Sequence, residues 1–434
     1  MQKLLDLIDR IQNKRASIGV VGVGYVGSSL GTAAGEAGYD TRGYDISTKA
    51  VQRVNARNVS GFTAYDNARA IEDCDVIAIC VPTPVKGDRS PDLDPLMGAL
   101  ETVKKILKKG QLILVESSIA PGTTREVILP VLEAEGIRVE EDFFLAYSPE
   151  RIDPGNGQFH FANIPKVVAG IGERSGMLAY AFYNNIVSSV HLVSSIETAE
   201  LTKLFENTFR LVNISLVNEL SSYTKKIGVD IFEVIEAAAT KPFGFLPHYP
   251  GPGVGGHCIP VDPYYLVHAA SQKGVKLGIV SEAGKVNSLQ SRRVASEALR
   301  IVSVTNGKKK NHRILLIGAS YKENVDDTRE SASEVIMHLL EKEKVAVDFH
   351  DPYIDEFMGK KSVKLGVSLT KYDLIIIVVA HKGVDYNKLA SVGIPILDTK
   401  DIYHDFSLPH IYSFFSKNVT KRNKKIKASL TAKV

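Results

Sequence analysis

Residues 17–27 read SIGVVGVGYVG, a short apolar run that passes at once into three spaced glycines. In this pattern Gly22 permits a tight turn, Gly24 lets the backbone approach a pyrophosphate, and Gly27 lets a helix pack closely on the strand. The helix that follows directs its first N–H groups at the anion. Asp45 follows the next strand-like run, where a carboxylate accepts hydrogen bonds from both ribose hydroxyls and favours NAD over NADP. The stretch therefore predicts a dinucleotide site, and the alternative is a structural glycine-rich turn.

Short β-rich runs alternate with helical stretches from this motif onward. The predicted strands are Ser17–Val21, Asp40–Tyr44, 76–81, 112–116 and Phe144–Tyr147, with a further strand at 167–171. Strands separated by helices indicate a parallel, doubly wound α/β sheet. The loops CVPTP and SSIAPGTT follow the third and fourth of these strands, at the carboxyl edge where such sheets bind ligands.

A segment without Pro or Gly extends over Ile196–Ile227, and its apolar residues recur at helical spacing. We expect one long helix, of a length that links domains or supplies a dimer interface, ended by Gly228. A shorter helix is expected at Ile231–Ala239. Lys203 and Asn207 lie four residues apart on the long helix and therefore share a face. They either donate to a developing oxyanion or belong to a solvated helix face.

A loop dense in Pro and Gly, KPFGFLPHYPGPGVGGHCIPVDP, occupies residues 241–263. Cys258 lies in its Gly-Gly-His-Cys portion just before a helix, where a substrate can approach the backbone and the helix N-terminus favours a nucleophilic thiolate. A packed thiol is the alternative. His257 has no second Cys or His at metal-ligand spacing, so no metal site is expected. Asp262 is expected to N-cap the next helix, with Pro263 at its first position.

The α/β alternation resumes after a polar linker, TNGKKKNH, at residues 305–312. The expected elements are strands at Arg313–Ile317, 345–350, 374–379 and 394–398, with a helix at 331–343. We therefore expect an α/β fold of two doubly wound Rossmann-like domains joined by a long central helix. The expected domains are an NAD-binding domain at 1–194, a central helical domain at 195–305 and a second α/β domain at 306–434.

The composition of the 434 residues, 44% hydrophobic and 24% charged, excludes wholesale disorder and a fibrous fold. A net charge of +4 is too balanced to imply a nucleic-acid or membrane partner. The N-terminal stretch lacks the pattern of a signal peptide and no apolar run approaches ~20 residues, so we expect a cytoplasmic protein. Cys74 and Cys80 lie at the ends of a buried strand and are expected to be packed thiols. The basic tail, KRNKKIKASLTAKV, is expected to fray.

Seven motifs follow one another along the chain: GVGYVG, CVPTP, ESSIAPGTT, SPERIDPG, AELTKLFENTFR, GPGVGGHCIPVDP and SYKENVDDTRES. In this order they resemble those of the UDP-glucose/GDP-mannose dehydrogenases, NAD-dependent enzymes that oxidise the C6 alcohol of a nucleotide sugar to a carboxylate in two steps. SPERIDPG and the 241–263 loop are most similar to members that act on UDP-N-acetylglucosamine, for polysaccharide biosynthesis. UDP-N-acetylmannosamine, UDP-N-acetylgalactosamine and UDP-glucose are the alternative substrates.

The resemblance implies a catalytic role for each of five matching residues. Cys258 would be the nucleophile: its thiolate adds to the aldehyde left by the first hydride loss, and water cleaves the thioester left by the second. Lys203 and Asn207 would stabilise the oxyanion. Asp262 would orient water or act as base, and Glu150 would serve the hydrolytic half of the reaction.

Binding residues and partners are implied in the same way. The cofactor-binding set is Gly22, Gly24, Tyr25, Val26, Gly27, Asp45, Thr83, Ser118 and Arg329. The substrate-binding set is Glu150, Arg151, Lys203, Asn207, Tyr249, Gly255 and Lys322, with the UDP-sugar held by the domain at 306–434. A UDP-sugar substrate and a homodimer or higher homo-oligomer are therefore the expected partners.

Two positions depart from patterns common in the family. Ser118 stands where many relatives have Thr, which keeps the hydroxyl. Arg151 stands where UDP-glucose enzymes have Phe, and it either accommodates an N-acetyl sugar or is a surface residue. Two other functions are a two-electron hydroxyacid dehydrogenase and a non-catalytic module that binds NAD or a sugar nucleotide. Cys258 together with Asn207 argues against the first, and the presence of all five catalytic positions argues against the second.

Overall fold

The computed structural model describes residues 2–133, 136–153, 155–307, 311–366, 369–404 and 408–416. The chain divides into two compact units. The first unit comprises Met1–Asn207 and Val261–Lys276, and the second comprises Thr208–Pro260 and Leu277–Val434. The division into three domains at residues 194 and 305 stays a prediction.

The first unit is built on an eight-stranded sheet in the order β3-β2-β1-β4-β5-β6-β7-β8. Its strands are β1 (Ser17–Val21), β2 (Asp40–Tyr44), β3 (Phe62–Tyr65), β4 (Val76–Ile79), β5 (Leu112–Val115), β6 (Phe144–Tyr147), β7 (Lys166–Gly170) and β8 (Val190–Leu192). Strands β1 to β6 run parallel, as expected, whereas β7 runs antiparallel to β6. The predicted strands do not include β3 and β8, which are short and partly exposed.

In the described part of this unit, the α-helices before the long helix are α1 (Gln2–Gln12), α2 (Tyr25–Glu36), α3 (Thr48–Asn55), α4 (Asp94–Ile106), α5 (Leu129–Glu133) and α6 (Glu173–Asn184). Strands β4, β5 and β6 are buried at every position, which explains their continuous apolar runs. The parallel strands place their carboxyl ends at one edge of the sheet, and the motif loops extend from this edge.

The long helix α7 (Ile196–Ile227) has the expected bounds, and Gly228 follows it with φ of +77°. Next come α8 (Ile231–Ala239), α9 (Asp262–Gln272) and α10 (Gly278–Asn306). The prediction that Asp262 N-caps α9 is wrong: Val261 holds the N-cap position, and no side chain caps the helix. Asp262 is the first helical residue instead, because its carboxylate is buried and hydrogen-bonded elsewhere.

The second unit contains a five-stranded parallel sheet in the order β10-β9-β13-β14-β15. Its strands are β9 (Arg313–Ile317), β10 (Ala346–His350), β13 (Leu374–Ile377), β14 (Ile396–Asp398) and β15 (Ile411–Ser413). A small hairpin joins β11 (Glu356–Phe357) to β12 (Lys360–Lys361), and the helices are α11 (Ala332–Lys342) and α12 (Tyr386–Ser391). The predicted strands do not include β15 or the hairpin.

The predicted fold class is confirmed: the protein is α/β, with two Rossmann-like sheets and a long helix between them in the chain. Within the described residues, none of the helices combines the length and the apolar character needed to cross a bilayer. The basic tail at residues 421–434 lies outside the described residues.

Candidate active site

The glycine turn after β1 has the geometry that a dinucleotide requires. Gly22 has φ of +86°, a region that favours glycine. A Cβ on Gly27 would lie 1.9 Å from the carbonyl oxygen of Gly22, so only glycine fits there. A Cβ on Gly24 would meet nothing within 4 Å, and no side chain caps α2, which begins at Tyr25. The turn therefore offers open space in front of the first N–H groups of a helix, which suits a pyrophosphate.

Asp45 follows β2 at the same edge and holds the turn in place. Its Oδ2 accepts a hydrogen bond from the Val23 N–H at 2.8 Å, and its Oδ1 accepts one from the Ser47 N–H at 2.8 Å. An ionised carboxylate has about four acceptor sites, so each oxygen keeps one for a ribose hydroxyl. The residues of the first unit thus fit a dinucleotide.

The loops after β4 and β5 are tied together at this edge. The Thr83 hydroxyl donates to the carbonyl oxygen of Ser118 at 2.6 Å. The Tyr265 hydroxyl of α9 lies 3.0 Å from the carbonyl oxygens of both Thr83 and Pro84. The Ser118 hydroxyl accepts a hydrogen bond from the Lys203 ammonium of α7. Ser118 therefore lies between the loop after β5 and the long helix.

Lys203 and Asn207 lie on one face of α7, and each donates a hydrogen bond to a side chain of the first unit. Asn207 Nδ2 donates to Asp262 Oδ2 at 2.6 Å. Burial raises the pKa of Asp262, against the opposing effects of the Lys203 charge and the Asn207 hydrogen bond. Only 8% of Lys203 is exposed, so its interpretation as part of a solvated helix face is wrong. The arrangement presents a buried carboxyl beside an ammonium and an amide donor.

Glu150 lies beyond β6 and is 5% exposed. Its Oε1 accepts hydrogen bonds from the Arg151 and Ile152 N–H groups at 2.6 and 2.7 Å, and its Oε2 accepts one from Lys166 Nζ at 2.7 Å. Burial raises the pKa of Tyr25, and the negative charge of Glu150 adds to that increase, so Glu150 is electrostatically linked to the start of α2.

The Arg151 guanidinium contacts protein groups on several sides. Its Nε and Nη2 donate to the two carboxylate oxygens of Glu206 at 3.1 and 2.5 Å. Its Nη1 donates to the carbonyl oxygen of Pro165 at 2.9 Å. The side chain is therefore held against α7 and the chain before β7.

The predicted site residues do not include Glu116, Lys166, Tyr183 or Glu200, all of which are buried. Lys166 pairs with Glu116 at 3.2 Å as well as with Glu150, and Tyr183 donates to Glu116. Burial raises the pKa of Glu116 to about 7, against the lowering effect of Lys166. The available signal was a charged residue next to a run of apolar strand residues. Glu116 directly follows β5, and Lys166 is the first residue of β7.

Glu200 on α7 supports the SSIAPGTT loop. Its carboxylate accepts hydrogen bonds from the Gly122 N–H at 2.6 Å, the Thr124 N–H at 2.8 Å and the Thr124 hydroxyl at 2.6 Å. Burial raises the pKa of Glu200 to about 7. This loop is therefore tied to the helix that carries Lys203.

In the second unit, side chains of α7 and α10 hold the loop that leads to Cys258. The Asn218 amide oxygen accepts a hydrogen bond from the Gly251 N–H at 2.9 Å, and that of Asn287 accepts one from the Val254 N–H at 2.7 Å. The loop is thus anchored on two long helices, and the Cys258 thiol remains partly exposed.

The two glycines before His257 pack against the SYKENVDDTRES segment. A Cβ on Gly255 would lie 2.5 Å from the carbonyl oxygen of Glu330, and the Gly256 N–H donates to the carbonyl oxygen of Arg329 at 3.0 Å. His257 Nδ1 lies 3.9 Å from Asp327 Oδ2. Gly255 therefore serves close backbone packing in this unit.

Arg329 forms a two-pronged ion pair with Asp327, with Nη2 2.6 Å from Oδ2. This hydrogen bond raises the pKa of Arg329, and the charge of a Cys258 thiolate acts in the same direction. A guanidinium and the thiol of the loop are therefore close enough to attract when the thiol ionises.

The two other expected substrate residues are accessible in the second unit. Tyr249 is 50% exposed and stacks on Phe232, with 6.2 Å between the ring centroids. Lys322 lies in a loop fixed by Ser320, whose hydroxyl donates to the Lys322 carbonyl oxygen at 2.7 Å. His381 Nδ1 accepts the Asn324 N–H of the same loop at 3.0 Å.

Three domain descriptions of one protein family match this chain. They are the NAD binding domain at residues 16–187, the central domain at 197–289 and the UDP binding domain at 315–405 of the UDP-glucose/GDP-mannose dehydrogenase family. Among curated proteins, the UDP-N-acetyl-D-glucosamine 6-dehydrogenase of Pseudomonas aeruginosa is 36% identical over 387 residues, which cover 85% of this chain and 91% of that protein. The UDP-N-acetyl-D-mannosamine dehydrogenase of Pyrococcus horikoshii is 32% identical over 78% of this chain and 84% of its own.

Solved structures give the same result. The structure of the Pyrococcus horikoshii UDP-N-acetylmannosamine dehydrogenase is 30% identical, with a TM-score of 0.82, and the comparison covers 92% of this chain and 98% of that one. That of the UDP-N-acetyl-mannosamine dehydrogenase Cap5O from Staphylococcus aureus is 28% identical, with a TM-score of 0.79 and coverage of 93% and 99%. With the glycine turn, Asp45 and these matches, the chain belongs to the UDP-glucose/GDP-mannose dehydrogenase family and is an NAD-dependent dehydrogenase.

Proposed function

We propose that this enzyme oxidises the C6 hydroxyl of a UDP-N-acetylhexosamine, with UDP-N-acetylglucosamine as the first candidate, to the uronate for polysaccharide biosynthesis. One alcohol, two NAD⁺ and one water would give one carboxylate, two NADH and three protons. The observation that carries the proposal is the face of α7 on which Asn207 bonds the buried Asp262, beside Lys203. Asp262 follows Cys258 by four residues in the sequence.

The oxidation steps need a proton acceptor and donors to a developing oxyanion. Asp262 is suited to accept the proton, because burial raises the pKa of its carboxyl above the ordinary value of an aspartate. Asn207 uses one amide N–H on Asp262 and has a second for the oxygen of the reacting carbon. Lys203 supplies positive charge for the same oxygen. When bound, NAD accepts the hydride.

Cys258 supplies the nucleophile that separates the two oxidations. Its thiolate would add to the aldehyde carbon, forming an S–C bond and a thiohemiacetal oxyanion, which becomes a thioester on loss of the second hydride. Water then replaces sulfur at the carbonyl carbon, and the thiolate leaves. We assign the positioning of that water to Ser118, and its activation to Glu150.

The cofactor would be held at the glycine turn of the first sheet, by Gly22, Gly24, Tyr25, Val26 and Gly27, with Asp45 on a ribose. Thr83 and Ser118 extend this set along the carboxyl edge. We assign binding of the UDP-sugar to Lys322, Tyr249, Gly255 and Arg151. Arg329 is assigned to binding of the cofactor. A UDP-binding role for residues 306–434 is supported by the family description that matches residues 315–405.

The identity of the sugar rests on similarity. The Pseudomonas aeruginosa and Salmonella typhi relatives named for UDP-N-acetyl-D-glucosamine are 36% and 33% identical to this chain. UDP-N-acetylmannosamine is the second candidate, because relatives and solved structures named for it are 32% and 30% identical.

We also propose a cytoplasmic homodimer or higher homo-oligomer. The long helix exposes large apolar side chains along its length: Leu201, Phe205, Phe209, Leu216, Leu220, Tyr223 and Ile227. Such a stripe is typical of a protein–protein interface. Sedimentation of the purified chain tests this, and a monomer at micromolar concentration would contradict it.

The decisive assay counts NADH per sugar with UDP-N-acetylglucosamine, UDP-N-acetylmannosamine, UDP-N-acetylgalactosamine and UDP-glucose. Two NADH per sugar are expected with the true substrate. One per sugar would favour a two-electron dehydrogenase, and NAD binding without turnover of any sugar would favour a binding module. Cys258→Ala should form no uronate, whereas the control Cys74→Ala, at a buried thiol, should keep the wild-type rate.

A further inference from the structure

Three strands of the first sheet bring a buried group of charges to its carboxyl edge. Glu116 directly follows β5, and Glu150 lies three residues beyond the end of β6. Lys166 is the first residue of β7, and because β7 runs antiparallel to β6, its start lies where β6 ends. The reversal of this one strand therefore places a lysine at the edge that carries the candidate catalytic residue Glu150.

Lys166 makes contacts to charged and aromatic groups on several sides. Its ammonium lies 2.7 Å from Glu150 Oε2 and 3.2 Å from Glu116 Oε2, and only 2% of its side chain is exposed. Tyr183 donates to the other oxygen of Glu116. The rings of Phe161 and Tyr183 lie 4.8 and 5.1 Å from the ammonium, distances at which an aromatic face attracts a cation.

Stability alone does not account for this cluster. A buried ion pair loses the solvation of both charges, and apolar side chains of similar volume are often equally stable or more stable. Lys166 and Glu116 are both almost fully buried, so the solvation of both charges is lost. The cluster does have one geometric effect, on the orientation of the Glu150 carboxylate.

Glu150 is fixed by three hydrogen bonds among the described residues. The Arg151 and Ile152 N–H groups occupy the acceptor sites of Oε1, and Lys166 occupies one acceptor site of Oε2. A carboxylate has about four such sites, so one remains, on Oε2. We propose that Lys166 is a positioning residue, held by Glu116 and Tyr183, which directs this remaining site of Glu150 at the water that hydrolyses the Cys258 thioester.

This inference rests on the proposed function, and its test separates the two hydride losses from hydrolysis. In Lys166→Met, the two oxidations should still occur, giving a burst of two NADH per Cys258, after which the steady-state rate falls about 10²-fold, in the range of general acid–base catalysis. Mass spectrometry of the intact protein should detect the acyl adduct on Cys258. Lys166→Arg, which keeps a cation, should restore most of the steady-state rate.

Non-additivity distinguishes positioning from general damage. Lys166→Met in a Glu150→Gln background should cost no further activity, because Lys166 acts through Glu150. Arg10→Met is the matched control: it removes the Arg10–Asp75 pair before β4, at the amino edge of the same sheet, and should leave turnover unchanged. If Lys166→Met does not fold, Glu116→Gln with Lys166→Met removes a carboxylate and the ammonium together and keeps the net charge of the cluster.

The outcomes separate the two proposals. Wild-type turnover in a folded Lys166→Met variant, or in the double variant, would overturn the role of Lys166 and leave the proposed function intact. A folded variant that loses the burst and the steady state together would also overturn it, because the oxidations would then depend on Lys166. Failure of the wild-type enzyme to form two NADH per sugar would instead overturn the proposed function itself.

Discussion

Asn207→Asp is the substitution that most directly tests the α7 face. It keeps the shape of the side chain but replaces an amide donor, 2.6 Å from Asp262 Oδ2, with a second carboxylate. Two unit charges ~4 Å apart in an effective dielectric of ~20 repel by about 4 kcal/mol, equivalent to about three pKa units. One of the two carboxyls would therefore keep its proton to a higher pH than Asp262 does in the wild type.

The added negative charge and the lost amide donor predict how Asn207→Asp changes the pH–rate profile and kcat. Burial already raises the pKa of Asp262, and a neighbouring negative charge raises it further, so the carboxylate form becomes available only at higher pH. The rising limb of the pH–rate profile should move upward by up to about three units. Loss of a donor to the oxyanion should lower kcat by about 10²–10³ at the optimum.

The assay is the initial rate of NADH formation between pH 6 and 10, with saturating UDP-sugar and NAD. Asn213→Asp is the control, because Asn213 lies on the same helix and its amide bonds the Phe209 carbonyl oxygen at 2.8 Å. That variant should keep the wild-type rate and profile. A folded Asn207→Asp variant with a kcat within threefold of the wild type and an unshifted profile would contradict this role for Asn207 and Asp262.

Three further predictions concern accessible, cofactor-binding and buried groups. Iodoacetamide should alkylate the native protein at Cys258 alone, because Cys74 and Cys80 are buried and burial raises the pKa of the Cys74 thiol to about 12. Mass spectrometry would locate the modified cysteine, and modification of either buried thiol in folded protein would contradict this prediction. Gly24→Ala should fold normally, since its Cβ meets nothing within 4 Å, yet raise the KM for NAD at least tenfold; an unchanged KM would mean that the pyrophosphate binds elsewhere. Burial raises the pKa of Glu200 from 4.5 to about 7. Between these two pH values the folded protein therefore binds more protons than the unfolded chain. The free energy of unfolding should fall by up to about 3 kcal/mol as the pH rises from 4.5 to 7. In urea titrations at pH 5 and 7.5, Glu200→Gln should lose that pH dependence relative to the wild type, and an equal dependence in both would count against it.

Local sequence predicted the features that local chemistry determines. The glycine spacing around Gly24 and the acid at Asp45 specify a turn and its ligand within one strand–helix–strand unit, and both lie as expected. Asp262 shows where local sequence is insufficient. An Asp–Pro pair is typical of a helix N-terminus, but the carboxylate of Asp262 accepts a hydrogen bond from Asn207, 55 residues earlier in the chain, and does not cap the helix. The direction of β7, and with it the position of Lys166, depends on pairing with β6, which no local pattern encodes.

The two parallel sheets begin alike. Gly22 and Gly318 follow the first strand of each sheet with φ of +86° and +93°, and their N–H groups donate to the last residue of the next strand at 2.8 and 2.9 Å. Asp45 and Asp351 then come directly after those second strands, and each accepts a hydrogen bond from the turn. By topology alone, either turn would suit a dinucleotide.

The residues of the second turn, however, are not suited to a dinucleotide. The Asp351 side chain is fully buried and pairs with His381 Nε2 at 2.9 Å, so it has no face for a ribose. Gly24, two residues after Gly22, faces open space, whereas the residue two after Gly318 is Ser320, which is fully buried. Within the described range 311–366, no helix begins close to Gly318, since α11 starts only at Ala332. Of the two turns that the described residues form, the first therefore suits a pyrophosphate and a ribose. The second sheet is then left for the other nucleotide, in agreement with the UDP binding domain matched at residues 315–405.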